Sequence, residues 1–334
     1  MRKAKKCAKN IRIKKTLVLL FIIFELIFTA ITGPFMVYYG PFENVKNTIV
    51  SSAMTSLKTQ WIATLFLSDE SINQIMNKQK VSSIVQDNLN GVNVKSIGDN
   101  NIERYDVKGN KFKGYALIIK DPTRIRVGYS SMLGKEGQLT SDIAKDNNAI
   151  AAINGGAFKD VSNGSKWAGT GANPTGIIMS KGKTIFDDIK NNNVKTNIVA
   201  FTKSGKLLVG SHSIFQMKTF GVTEAVSFGP ALIVNGQKTI NKGDGGWGIA
   251  GRTAIAQRKD GAIILLVIDG RQVNSLGATL KEVQNELFKL GAYNATNLDG
   301  GSSSTLYYDE EVINSPSDSL GERSVPSIIY VENR

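Results

Sequence analysis

Cysteine and histidine are almost missing from this chain of 334 residues, which has one of each. Cys7 lies in a basic N-terminal tail, so the remainder can form neither a disulfide framework nor a cysteine metal site. A single histidine also excludes a multi-histidine zinc centre. Ser-His-Asp chemistry would have to use His212, which stands between Ser211 and Ser213 in a polar stretch and reads as a solvated loop residue. Acidic residues are absent from the first fifteen positions, where Arg2, Lys3, Lys5, Lys6, Lys9, Arg12, Lys14 and Lys15 supply positive charge. These eight residues leave about +5 of the formal +13 for everything else. The basic balance belongs to a tail and not to a folded face, which argues against a nucleic-acid footprint. Chemistry is left to carboxylates, Arg, Lys, Tyr, hydroxyls and backbone amides.

What is present divides the chain into four stretches. Residues 1–15 form the basic tail. Residues 16–39 are almost wholly apolar, with Glu25 the single charge, and are long enough to cross a bilayer as a helix of about 20 residues. Basic residues just before the run predict a cytoplasmic N-terminus and an extracellular remainder. The length of the run, with no small-residue cleavage pattern after it, favours an uncleaved anchor over a signal peptide. Residues 40–104 read as a helical stalk. In it Val45, Ile49, Ala53, Leu57, Trp61, Leu65 and Phe66 recur at helical spacing, and a second short helix begins near Ser71. Residues 105–334 form the main domain, and the 33 glycines and 41% hydrophobic content of the whole chain suit a turn-rich globular core.

That domain alternates strands and turns. Gly114–Lys120 and Arg124–Ser130 read as a hairpin over Asp121-Pro122, and 252–258 pairs with 262–268 over Lys259-Asp260-Gly261. Glycine-rich 243–251 reads as a mobile loop. Two segments share a grammar of helix, turn, strand and glycine pair. Residues 139–147 lead through a strand into Asn154-Gly155-Gly156, and 279–290 lead through a strand into Asp299-Gly300-Gly301. Many strands and few helices predict an α+β domain on a mixed, mostly antiparallel sheet.

Asp269 and Asp299 each follow an apolar strand and precede glycine, which can bring two carboxylates to one sheet edge. Paired acids are the minimum kit for glycosidic cleavage, one to protonate the leaving oxygen and one to attack or activate water. Arg252 and Arg271 flank the same hairpin, and guanidinium groups bind phosphate through paired donors. The Gly-Gly amides with Ser302, Ser303 and Ser304 offer a nest of donors for an anion. Each feature alone is also an ordinary turn former or solvated hairpin end.

Taken in order, Asn154-Gly-Gly-Ala-Phe158, Phe228-Gly-Pro230, Gly251-Arg-Thr-Ala254, Val267-Ile-Asp-Gly-Arg271, Leu276-Gly-Ala-Thr-Leu280 and Asn297-Leu-Asp-Gly-Gly-Ser-Ser-Ser304 resemble the phosphodiester glycosidase family. The resemblance spans roughly residues 105–334. It implies hydrolysis of a sugar-1-phosphodiester, with Asp299 and Asp269 as acids. Asn154, Gly155, Gly156, Arg252, Thr253, Arg271, Gly300, Gly301 and the Ser302–Ser304 run would then bind substrate. No cofactor is implied, and a metal requirement stays open. Two departures are Ala157-Phe158, where an aromatic pair is common, and Ser302, where a further glycine is common. Anchor and domain together point to a cell-envelope glycopolymer, such as teichoic acid or exopolysaccharide. Two other readings stay open: a non-catalytic glycan-binding protein, and a metal-dependent phosphodiesterase that cuts P–O through oxygen ligands from Asp269, Asp299 and Asn154.

Overall fold

Leu, Ile and Phe dominate the first helix, α1 (Arg2–Tyr39), in the computed structural model, which describes residues 2–55, 59–79, 81–159, 170–318 and 320–334. Its segment Lys15–Tyr39 has a mean hydropathy of 2.3 and the length to cross a membrane, and Leu17 to Phe28 present exposed apolar side chains. Three short helices follow: α2 (Glu43–Met54), α3 (Trp61–Thr64) and α4 (Asp69–Lys78). The single amphipathic helix expected from Val45 to Phe66 is broken. Its halves fold back so that Val50, Ala53, Ala63 and Ile72 bury a small core with Tyr38. Leu57, one of the expected stripe, lies outside the described residues.

Contacts divide the chain into two compact units, Met1–Asn77 and Lys78–Arg334. The stalk expected to reach residue 104 therefore ends earlier. Residues 81–101 have no regular structure, yet they belong to the second unit, where their polar groups pair with the edge of its sheets. Buried Gln86 donates to the Leu207 carbonyl at 3.0 Å and accepts from the Val209 amide at 2.7 Å.

The second unit is built from three sheets around one core. The first, in spatial order, is β1 (Ile102–Lys108), β2 (Lys113–Ile119), β15 (Ile263–Ile268), β14 (Arg252–Arg258), β16 (Ala292–Asn297), β12 (Ala231–Val234) and β13 (Gln237–Lys238). The second is β10 (Leu207–His212), β9 (Thr196–Thr202), β11 (Val222–Ser227), β7 (Ile177–Ser180) and β8 (Lys183–Asp187). The third is β18 (Glu311–Val312), β17 (Leu306–Tyr308), β4 (Ala149–Asn154), β19 (Ser327–Glu332) and β3 (Ile125–Tyr129). A small ribbon pairs β5 (Phe158–Lys159) with β6 (Asn173–Pro174). All strand pairs are antiparallel among the described residues, in an α+β arrangement.

Period-two alternation gives each sheet one face to the shared core and one to its own helix. On β15, Ile263, Leu265 and Val267 point to the core, while Ile264, Leu266 and Ile268 meet helix α7 (Leu280–Lys289). Helix α6 (Ile214–Thr219) covers the second sheet and α5 (Thr140–Asp146) the third. In α7, Leu280, Val283 and Leu287 line one stripe and are fully buried, together worth on the order of 5 kcal/mol. A capping box between Thr279 and Glu282 starts that helix.

The repeated grammar thus has a third copy. Helices α5, α6 and α7 each run through a two-residue turn into a strand, β4, β11 and β16 respectively. The expected hairpin over Asp121-Pro122 does not form. β2 pairs with β1 and β15, whereas β3 pairs with β19 in another sheet. The chain changes sheets at a turn of 3₁₀ helix where buried Asp121 accepts from Thr123, and buried Arg124 donates to the carbonyls of Glu332 and Asn100. The expected hairpin of β14 and β15 is present.

Candidate active site

The ends of the three repeated strands meet. The Asn154 amide Nδ2 donates to the Asp299 carbonyl at 2.6 Å, and the Asp299 amide donates to the Gly155 carbonyl at 3.4 Å. The Ala157 amide donates to the Ser227 carbonyl, and Asn297 Nδ2 to the Gly229 carbonyl. Glycine lets the backbones approach this closely. A Cβ on Gly300 would sit 2.8 Å from the Gly251 carbonyl oxygen, and Gly301 holds φ +63°, a left-handed value. The Gly301 amide donates to that Gly251 carbonyl at 2.8 Å, which fixes the Asp-Gly-Gly bend beside the start of β14.

Asp299, Gly300, Gly301 and Ser302 are half-buried and form the accessible lip of this junction. The Asp299 carboxylate accepts from the Gly300 amide at 3.0 Å. Arg271 is exposed, and its Nη2 lies 3.9 Å from the position a Gly301 Cβ would take. Arg323 donates to Ser302 Oγ at 3.3 Å and lies over the Phe158 ring. Two guanidinium groups therefore stand at Gly301 and Ser302, next to a carboxylate.

The residues beneath this lip organise it. Asn154 is fully buried, and its Oδ1 accepts from the Thr253 hydroxyl at 2.7 Å and the Thr305 amide at 3.2 Å. Expected from the sequence to bind substrate, Asn154 lies instead beneath the accessible lip with its amide engaged inside the protein. With both acceptor sites of that oxygen in use, it is also a poor ligand for a hard cation. Buried Thr253, Gly155 and Gly156 hold the same junction, the glycines by donating to Ser327.

Asp269 is 1% exposed, so it does not share the accessible lip with Asp299. Its Oδ1 accepts from Asn314 Nδ2 at 3.1 Å and the Ser315 amide at 2.9 Å, while Oδ2 is buried without a partner. Burial pushes its carboxyl pKa up, outweighing the Ser315 and Asn314 hydrogen bonds. The two aspartates stand at the same end of one sheet with β14 between their strands, which puts their Cα atoms about 10 Å apart. Ser303 Oγ, Ser304 Oγ and Thr305 Oγ1 are also buried without partners, so unpaired polar atoms concentrate under the lip.

Arg252 corrects a second expectation. Thr253 faces the Asn154 junction, so alternation sends Arg252 to the opposite face of β14. There it is buried and donates to the carbonyls of Ala278, Trp247 and Gly248. Burial lowers its pKa to about 10, which keeps it charged at neutral pH. Arg252 pins the glycine-rich stretch 243–251, in which Asp244, Gly245, Gly246 and Gly248 are buried, so this stretch is packed structure and not the open loop expected. His212 is likewise buried, at the end of β10, and burial lowers its pKa. Its neighbour Ser213 faces the helix instead, capping α6. Asn314 and Arg323 were not legible in the sequence, since single polar residues in a Ser-, Asn- and Pro-rich tail carry no spacing signal.

Three sheets around a shared core thus bring an Asp-Gly-Gly bend and two arginines together where their strands meet. The chain belongs to the phosphodiester glycosidase family, whose model matches residues 147–332, more than half of its length. Bovine N-acetylglucosamine-1-phosphodiester alpha-N-acetylglucosaminidase is 39% identical over 70 residues, which is 21% of this chain. A prophage-derived uncharacterized protein of Bacillus subtilis, YomE, is 39% identical over 80 residues, or 24% of this chain. These alignments span only 13% and 12% of the relatives' own lengths. The fold is similar to that of the zebrafish N-acetylglucosamine-1-phosphodiester alpha-N-acetylglucosaminidase catalytic domain, auto-inhibited by its pro-peptide. That match has a TM-score of 0.59 and 23% identity, covering 73% of this chain and 87% of that one. A Burkholderia pseudomallei protein described as exported matches with a TM-score of 0.52 and 17% identity, covering 66% of this chain and 74% of that one.

Proposed function

We propose that the chain hydrolyses a sugar-1-phosphodiester by cleaving the glycosidic C–O bond. The observation that carries this reading is the half-buried Asp299 carboxylate at the junction of three strand ends, beside Arg271 and Arg323. Family membership supports the same class of reaction. Arg271 and Arg323 take the phosphate, whose charge would otherwise repel the carboxylate. Asp299 acts at the anomeric centre, as nucleophile or as base toward water. Asp269, buried with its carboxyl pKa raised and its Oδ2 without a partner, supports the loop from beneath through the bonds it accepts from Asn314 and Ser315. In this reading Asp299 is the residue that reaches substrate, and the second acid, Asp269, acts through Asn314 and Ser304.

The natural substrate is a cell-envelope glycopolymer such as a teichoic acid or a phosphate-linked exopolysaccharide, reached from the outer membrane face. The apolar segment Lys15–Tyr39 and the basic tail before it support an uncleaved anchor with the N-terminus in the cytoplasm. The experiment is hydrolysis of a model sugar-1-phosphodiester in heavy-oxygen water. Glycosidic cleavage puts the label in the sugar. Label in the phosphate would establish P–O cleavage, and binding without product would make the protein a glycan-binding module.

A further inference from the structure

We propose that the N-terminal unit carries a membrane-surface foot, in which Trp61 and Leu65 insert into the interfacial layer of the outer leaflet. The inference rests on the reading of Lys15–Tyr39 as a membrane span. At about 1.5 Å per residue, the 25 residues of that segment exceed a hydrocarbon core of about 30 Å, so its last turn lies at headgroup level.

Contacts within the unit fold the 61–66 segment back onto this last turn. Tyr38 stacks on Phe66 with ring centroids 4.7 Å apart, and Phe35 meets the same ring edge-on at 5.9 Å. The Tyr38 hydroxyl donates to the Ile62 carbonyl at 2.6 Å, and the Tyr39 hydroxyl donates to the Phe66 carbonyl. Phe35, Tyr38 and Tyr39 thus hold Ile62 and Phe66 at the depth where the span leaves the bilayer.

What this segment turns outward is apolar. Trp61 is 62% exposed and Leu65 is 67% exposed, one helical turn apart, while Ala63 between them is buried in the small core. Phe42 and Val45, just beyond the span, are also exposed. A soluble face would not place a tryptophan and a leucine together in water beside a membrane exit, whereas Trp is favoured at the headgroup level because its ring is apolar and its N–H polar. The occupant is therefore the lipid surface itself, continuous with the bilayer that surrounds the span.

The test uses the full chain in phosphatidylcholine vesicles, with Trp167→Phe and Trp247→Phe leaving Trp61 as the only tryptophan. Lipids brominated near the headgroup end of the acyl chain should quench most of its emission, which should also be blue-shifted and shielded from aqueous iodide. A companion chain carrying Phe24→Trp and Trp61→Phe in the same background reports on the span, and mid-chain bromines should quench it best. If the companion is quenched while Trp61 stays iodide-accessible and untouched by brominated lipid, the foot is refuted and the span stands. If neither is quenched, both the span and the foot are refuted. Should the double replacement fail to fold, Trp61→Cys in a Cys7→Ser chain, labelled with a polarity-sensitive dye, gives the same readout with both other tryptophans retained.

Discussion

Asn314→Leu tests whether one buried amide holds the active-site loop together. The substitution keeps the branched heavy-atom skeleton and leaves no cavity, so its effect reports chiefly on the lost hydrogen bonds. Asn314 Nδ2 donates to Asp269 Oδ1 and to the Ser304 carbonyl at 3.0 Å, and its Oδ1 accepts from the Leu306 amide at 2.7 Å. Removing it strands the buried Leu306 N–H, at about 1–3 kcal/mol, and forfeits two further bonds at about 1 kcal/mol each. The expected loss is about 4 kcal/mol, within the 5–15 kcal/mol typical of folded domains, so the variant still folds. For a unit of this size that is a fall in melting temperature of roughly 10 °C, read by circular dichroism of the full chain in detergent. The same change removes one of the two hydrogen bonds that hold the Asp269 pKa down, so that pKa should rise further. A melting temperature unchanged within a degree or two would refute the claim that Asn314 ties Asp269 to the loop.

Arg252→Ala should destabilise the protein by about 3 kcal/mol or more, because three carbonyls lose a charged donor, as read by urea unfolding. At low temperature the folded fraction should keep its KM for a charged diester. Arg271→Ala should do the reverse, leaving stability near wild type while raising KM for phosphodiesters more than for neutral glycosides. The pH dependence has a definite sign. Asp269 has a folded-state pKa above its unfolded value of about 3.9, so the native state binds the extra proton between the two. Its favourable contribution is fully present below about pH 3.9 and is lost as pH rises through the folded value. Asp269→Asn should flatten that fall, and urea midpoints at several pH values measure it.

Much of the fold was legible because turn chemistry and alternation are local. The β14–β15 hairpin follows from two apolar runs over Lys-Asp-Gly, and helix α7 from its stripe and its Thr279 cap. Pairing across sheets was not legible, since β2 and β3 flank a turn that looks like a hairpin but carries the chain into another sheet. The third repeated unit went unseen because its strand ends in Phe228-Gly229-Pro230 and lacks the glycine pair. At the site, the Asp-Gly-Gly bend was legible from glycine and hydroxyl content. Burial was not. Asn154, Asp269 and Asp299 look alike as polar residues beside glycine, and only packing separates the buried pair from the accessible one. The face of Arg252 could have been read, because its strand neighbour Thr253 must point the other way.

The central claim is that the accessible carboxylate of Asp299 does the chemistry. The direct measurement is turnover of a model sugar-1-phosphodiester by Asp299→Asn, set against the wild-type chain under the same conditions. The variant keeps the size of the side chain and leaves Arg271 and Arg323 in place, so the account predicts retained substrate binding. Turnover should fall by about two orders of magnitude or more. Near-normal turnover in Asp299→Asn would contradict the account.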